Sequence, residues 1–239
     1  MRNAFRMPGC AAEAEIVEKK SRFIAAVAPV TAEAGALIFL RERRELFPDA
    51  RHHVYAYAVD SGEGSYVRYS DDGEPQGTGG LPVLGIIRKR GLSNLAVVVT
   101  RYFGGILLGA PGLTRAYAAA AAACLDNSGV AEMRFCRQIE ITSDYSDSGK
   151  VRNWLSGESQ AEHGWEIPLA ADLPGQFEAQ ETEHRPANFL VSSPAYGQNV
   201  SFSVWVPVEL EALFIAKLTD ATNSRVLIEP LECDYRKMN

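Results

Sequence analysis

Three clusters in the first half of the chain carry residue types that could do chemistry. His52 and His53 stand side by side ahead of an alternating run. The tract SDDGEPQGTGG, Ser70 to Gly80, joins Asp71, Asp72 and Glu74 to Gly77, Thr78, Gly79 and Gly80. The tract TRYFGGILLGAPGLTRAY, Thr100 to Tyr117, sets Arg101, Tyr102, Phe103, Gly104, Gly105 and Arg115 among four glycines. One or two glycines normally end a strand, so this excess implies that a backbone is closely approached.

Each cluster has a chemical and a structural reading. Arg101 and Arg115 could grip phosphate or carboxylate, because a guanidinium presents a planar, bidentate fork. They could equally pair with Asp71, Asp72 or Glu74 and staple the domain. Successive N–H groups around Gly77–Gly80 could form an anion nest that opens a helix. No Gly-Lys-Ser/Thr follows, and GxGxxG is not matched. Asp71, Asp72 and Glu74 could hold magnesium beside substrate phosphate, or simply be a solvated acidic turn. His52 and His53 would point to opposite faces of a strand, so at most one faces any site. Tyr102 and Phe103 could stack on bases or pack in the core. No serine, cysteine or threonine sits in a recognisable nucleophile setting, and no catalytic residue, metal or cofactor is assigned.

These residues need elements to position them. Residues 15–30 alternate around Phe23, Ala25 and Val27 and read as a strand. Thr31 could cap a helix reaching Leu46, ended by Pro48. HHVYAYAV and SYVRY form a hairpin across DSGEG. A helix follows over 81–90, then a buried strand over 94–100 whose valines leave no exposed face. Pro111 suits the first turn of the next helix. AYAAAAAACL continues it, and Gly129 stops it. After Ala131 the pattern restarts with strands at 137–145, 200–206 and 225–235 and helices at 148–155 and 209–219. The order resembles βαββαβ, the ferredoxin-like plan. Residues 158–195 are acidic and broken by prolines, and no element is placed there. The expectation is α+β, two-layer α/β, in two domains, 1–134 and 135–239.

Length and charge set further bounds. A chain of 239 residues suits one large or two small domains. No apolar run approaches the roughly 20 residues that span a bilayer. The opening MRNAFRMPGC lacks the apolar centre of a signal peptide, so a cytoplasmic protein is expected. Cys10, Cys124, Cys136 and Cys233 form no CxxC pair and should be reduced. The net charge of −6 divides unevenly. Residues 1–134 hold 16 Lys and Arg against 14 Asp and Glu, a net of +2, while residues 135–239 hold 8 against 16, a net of −8. No acidic residue lies between Pro75 and Leu125, where Arg88, Lys89, Arg90, Arg101 and Arg115 all fall. That stretch is either an anion-attracting surface or a solvated basic face.

Arg22-Phe23-Ile24, Asp49-Ala50 with His52-His53, and Tyr57 match the opening pattern of the YigZ/IMPACT family. SDDGEPQGTGGLPVL, VVVTRYFGG and LGAPGLTRAY closely resemble its signature region, and the resemblance covers about residues 15–130. It implies a first domain with the ribosomal-protein-like fold shared by domain IV of elongation factor G and the GHMP kinases, a fold known for a left-handed crossover. The later βαββαβ pattern is similar to the C-terminal domain of bacterial YigZ-type members, which resembles the last domain of elongation factor G. Eukaryotic relatives restrain a starvation-activated kinase through an additional N-terminal domain, and that role is not carried over. Arg51, Gly79, Leu107 and Pro111 stand where relatives commonly have threonine, alanine, lysine and glycine. Losing that lysine weakens a phosphate grip, and the acidic 158–195 stretch would repel a phosphate backbone.

The resemblance implies a cytoplasmic, non-catalytic binding protein associated with translation, RNA, the ribosome or a translation factor. The ligand-binding set is His53, Asp72, Glu74, Gly77, Thr78, Gly79, Arg101, Tyr102, Phe103, Gly104, Gly105 and Arg115. Two other readings stand beside it: a nucleotide- or phosphate-binding enzyme using Gly77–Gly80 and Arg101, and a protein–protein adaptor. No membrane partner is expected, and the oligomeric state is left open.

Overall fold

The structure is a computed structural model that describes residues 3–61, 64–159 and 189–238. The chain divides into two compact units. One is residues 6–131; the other joins residues 3–5 to the described part of the chain from residue 132 onward.

In the first unit the residues around Phe23 form two strands rather than one. β2 spans Ala12–Glu18 and β3 spans Ser21–Pro29, paired antiparallel from Ala12 opposite Val27 to Glu18 opposite Ser21. Lys19 and Lys20 make the turn, with φ of 45° and 67°. Two successive positive φ values mark the hairpin turn whose twist matches its strands, usually built from Asn-Gly. A Lys-Lys pair carries no such signal, so the 15–30 strand expected from the sequence is corrected here. β4 (His52–Ser61) and β5 (Gly64–Ser70) form the second hairpin.

β6 (Leu95–Tyr102) lies between the hairpins, antiparallel to both β3 and β4, giving the order β2-β3-β6-β4-β5. β3 and β4 therefore run parallel to each other with β6 between them. The helix α1 (Glu33–Leu46) makes the crossover. Its N-cap is Ala32, with no side-chain cap, rather than Thr31. The hydroxyl of Tyr57 donates instead to Glu33 at 2.6 Å, anchoring the helix start to β4.

β6 is buried from Leu95 through Arg101, which explains its unbroken apolar run. One face carries Phe23, Ala25, Val54, Ala56, Val97 and Val99 against α2 (Gly80–Lys89) and α3 (Gly109–Ser128). Alanines 116, 120 and 121 let α3 lie close to the sheet, and Phe23 meets Tyr117 edge-on at 5.1 Å. On the reverse face Ala36 of α1 packs with Tyr57, Val59 and Ala96.

The second unit is built around the long strand β7 (Val130–Ser143). β10 (Val200–Pro207) and β11 (Leu227–Lys237) pair antiparallel on its two sides. The short β8 (Leu190–Val191) and β9 (Ala195–Tyr196) border β10, and β1 (Ala4–Pro8) extends the sheet along β7. α4 (Tyr145–Ser159) joins β7 to β8, and α5 (Glu211–Thr222) joins β10 to β11. The order β11-β7-β10-β8 is that of the ferredoxin-like βαββαβ plan. Tyr145, expected in a strand, opens α4 instead. Ile139, Ile141, Phe202 and Val204 pack against Val151 and Leu155 of α4 and Phe214 and Leu218 of α5. Each unit is thus an antiparallel sheet covered by helices, a two-layer α/β arrangement with extra cover from α1. Of the 158–195 stretch, residues 160–188 lie outside the described residues.

Candidate functional site

The C-terminal end of β6 gathers the three chemical clusters. His52 pairs with Arg101 and His53 with Thr100 across the β4–β6 ladder. The loop 71–79 bridges β5 and α2, and residues 103–108 join β6 to α3.

Asp71 organises the glycine loop. Its Oδ2 accepts the N–H of Gly77 at 2.8 Å, and its Oδ1 accepts those of Gly79 and Gly80 at 2.9 and 2.8 Å. Burial alone would raise its pKa, but these three donors outweigh it and hold the carboxyl below its ordinary range. The N–H groups that could serve an external anion thus already cradle a carboxylate of the chain. Thr78 is turned inward too, its hydroxyl donating to the Pro75 carbonyl at 2.6 Å. A Cβ on Gly79 would lie 2.9 Å from Val54, and one on Gly80 would lie 2.7 Å from the Ser70 carbonyl oxygen.

Glu74 and Arg101 form a buried pair. Arg101 Nη1 donates to Glu74 Oε1 at 2.6 Å, and the Tyr117 hydroxyl donates to the same oxygen at 2.7 Å. Burial first, and then the Glu74 carboxylate, push the Tyr117 phenol above its ordinary value. The Arg101 guanidinium lies over the rings of Phe23 and Phe103, 5.4 and 5.7 Å from their centroids. Its Nη2 reaches Ser21 Oγ at 3.4 Å, and that oxygen also accepts the Gly104 N–H at 3.1 Å.

Asp72 ties three elements together. Its backbone is left-handed, with φ of 47°. Its Oδ2 accepts the His53 N–H at 2.6 Å, its Oδ1 accepts Arg44 at 2.8 Å, and its carbonyl accepts His52 Nδ1 at 2.9 Å. His53 is buried with Nδ1 3.1 Å from Thr100 Oγ1. Desolvation lowers its pKa more than the nearby Asp72 raises it. Thr100 is fully buried, so this pair faces protein. Among the described residues no group of three or more His, Cys, Asp or Glu could hold a metal ion.

The outer surface of this end has a different character. Gly104 sits so close to the β2–β3 turn that a Cβ there would lie 2.0 Å from the Lys20 carbonyl carbon. Beyond it, Phe103, Ile106 and Leu107 are exposed by 46%, 44% and 83%. Gly105 and Gly109 fix this loop with φ of 84° and 71°. Lys19, Lys20 and Arg115 are exposed, and Tyr102 is half-buried beneath Arg22, whose guanidinium lies 5.7 Å from the ring centroid. The sequence singles out Tyr102, Phe103, Gly104, Gly105 and Arg115 here, but Ser21, Ile106, Leu107 and the Lys19–Lys20 turn escape it. The register of β3 on β6, with Arg22 opposite Tyr102, brings that turn beside Gly104.

The fold and this end define an α/β protein of two units whose glycine signature is tied internally by Asp71, Glu74 and Asp72. Residues 19–125 match the Impact N-terminal domain. The chain is 34% identical over 226 residues to the IMPACT family member YvyE of Bacillus subtilis, covering 94% of this chain and 90% of that one. Over 110 residues it is 44% identical to the IMPACT family member YigZ of Escherichia coli, covering 45% of this chain and 54% of that one. A crystal structure of a hypothetical protein superposes with a TM-score of 0.54 at 25% identity, covering 97% of this chain and 99% of that one. The chain belongs to the IMPACT family.

Proposed function

We propose that this protein is a non-catalytic binding protein that holds RNA at the β6 end of its first unit, in association with translation. One observation carries the reading: an apolar, aromatic loop fixed by glycines is exposed beside the Lys19–Lys20 turn, with Arg115 exposed on the following helix. Exposed apolar side chains on a pinned loop mark an interaction surface, and lysines and arginines beside them favour a phosphate backbone. Phe103 supplies a ring for base stacking. The link to translation rests on the family resemblance. A nucleotide enzyme is the weaker reading, because Asp71 already takes the loop N–H groups and Glu74 takes Arg101.

The test is RNA affinity across a salt series, for wild type and for a Lys19→Ala/Lys20→Ala/Arg115→Ala variant. Wild type should bind with affinity falling steeply as salt rises. The variant should bind more weakly, with the slope reduced by about one for each phosphate it no longer neutralises. Identical slopes for the two proteins, or wild-type binding no better than that of an acidic control protein, would overturn the reading.

A further inference from the structure

We infer that the second unit carries a shelf for unpaired RNA bases, formed by Tyr145, Tyr196 and Arg152. Tyr145 opens α4, and its hydroxyl donates to the Gly197 carbonyl at 2.9 Å. Arg152, two turns along α4, donates its Nη2 to the Tyr196 hydroxyl. Each ring is therefore tied by its polar end between α4 and the β9 segment, while 56% of Tyr145 and 61% of Tyr196 remain exposed.

This arrangement is unusual for a surface. An exposed tyrosine ordinarily pivots freely and presents no fixed face. Here both phenol oxygens are hydrogen-bonded to neighbouring elements, so ordering the rings on a ligand costs little additional entropy. Rigid aromatic faces beside a guanidinium are the elements from which single-strand platforms are built. Every base offers a π-face, and the cation attracts the intervening phosphate. Lys150 and Arg152 are exposed on the same helix. Arg225 is also exposed and lies 3.6 Å from Asp147. Among the described residues Arg152 is the cation held at the shelf, through its bond to Tyr196; Lys150, two positions earlier, faces another side of the helix. Much of the −8 counted over residues 135–239 comes from residues 160–188, which hold six Asp and Glu against one Arg. The rest of that stretch holds 7 Lys and Arg against 10 Asp and Glu, a net of −3.

A duplex hides its bases and so leaves the rings nothing to stack on, which makes an unpaired strand the occupant. The choice of RNA rests on the reading of the first unit; the shelf does not. An extended peptide is the alternative occupant that the test must separate.

The experiment uses the full chain and fluorescein-labelled oligouridine, with a hairpin duplex as comparison, read by anisotropy. Tyr145→Ala/Tyr196→Ala should bind oligouridine about tenfold more weakly and the duplex unchanged. Tyr145→Phe keeps the ring and should retain most of the affinity. Equal melting temperatures for wild type and variants establish that the fold is intact. Unchanged oligouridine affinity in the double variant overturns the shelf, and so does equal weakening for single strand and duplex. Binding of a proline-rich peptide library that the double variant loses, with oligouridine binding intact, assigns the surface to peptide and also overturns it. If the lysine and arginine substitutions in the first unit have no effect while the tyrosine substitutions do, the first-unit reading falls and the shelf stands. The converse result overturns the shelf alone.

Discussion

Glu74 and Arg101 meet at 2.6 Å with side chains only 4% and 7% exposed, and Tyr117 donates to the same Glu74 oxygen. A pair so placed holds the loop 71–79 against β6 and α3. Removing one member leaves the other charged and buried, a loss of about 3–5 kcal/mol. Arg101→Ala and Glu74→Gln should each destabilise by that order in urea unfolding. The double variant Glu74→Leu/Arg101→Met should recover part of the loss, since it buries no unpaired charge. A single variant losing under about 1 kcal/mol would mean that water reaches the pair.

Asp71 provides a pH signature. Its folded pKa lies below its unfolded value, so its contribution is fully present above the ordinary carboxylate range. That contribution fades as pH falls through the range toward the lowered folded value. Asp71→Ala leaves three loop N–H groups unpaired and should cost about 2 kcal/mol at neutral pH. The gap between wild type and variant should narrow as the solution is acidified. A gap independent of pH would contradict the role given to the carboxylate.

His53 acts in a neighbouring window. Burial lowers its folded pKa below the ordinary value of 6.5, so the unfolded chain takes up the proton first. Stability is therefore full above that value and falls as pH drops through it. Denaturation midpoints should decline between roughly pH 7.5 and 5.5, and a His53→Gln variant should show a flatter profile over that span. The same slope in both proteins would assign the decline to other groups.

Two glycines separate packing from propensity. Gly104→Ala forces a Cβ onto the Lys20 backbone, where no flexible side chain can yield, and should destabilise by several kcal/mol. Gly85 lies within α2 with nothing within 4 Å of its Cβ position. Gly85→Ala should instead stabilise by about 0.5–1 kcal/mol. Thermal melts of the two variants should move in opposite directions.

Particular residues show which features can be read from the sequence and which cannot. The valines of β6 and the alanines of α3 announce themselves, because burial on both faces and helix propensity are local in the chain. The two-lysine turn does not, because its positive φ values are imposed by the hairpin rather than by the residue type. The partners of Asp71 are hidden for a different reason. Glycine-rich loops that bind an anion and those that wrap a carboxylate look the same until the backbone is placed. The choice of Glu74 over Asp71 and Asp72 as the partner of Arg101 likewise depends on where the loop turns. Tyr145 reads as strand because β7 and α4 meet with almost no linker between them.

β6 also dictates the order in which the first unit can assemble. β2–β3 and β4–β5 are local hairpins, but they pair with nothing in common except β6, which begins at Leu95. During synthesis from the N-terminus both hairpins exist before their shared partner has emerged. Neither can bury Phe23 or Val54 until that strand arrives between them. A chain interrupted before residue 95 is therefore two open edges waiting to pair, and the chaperone demand of this unit should be set by the interval before β6 is delivered.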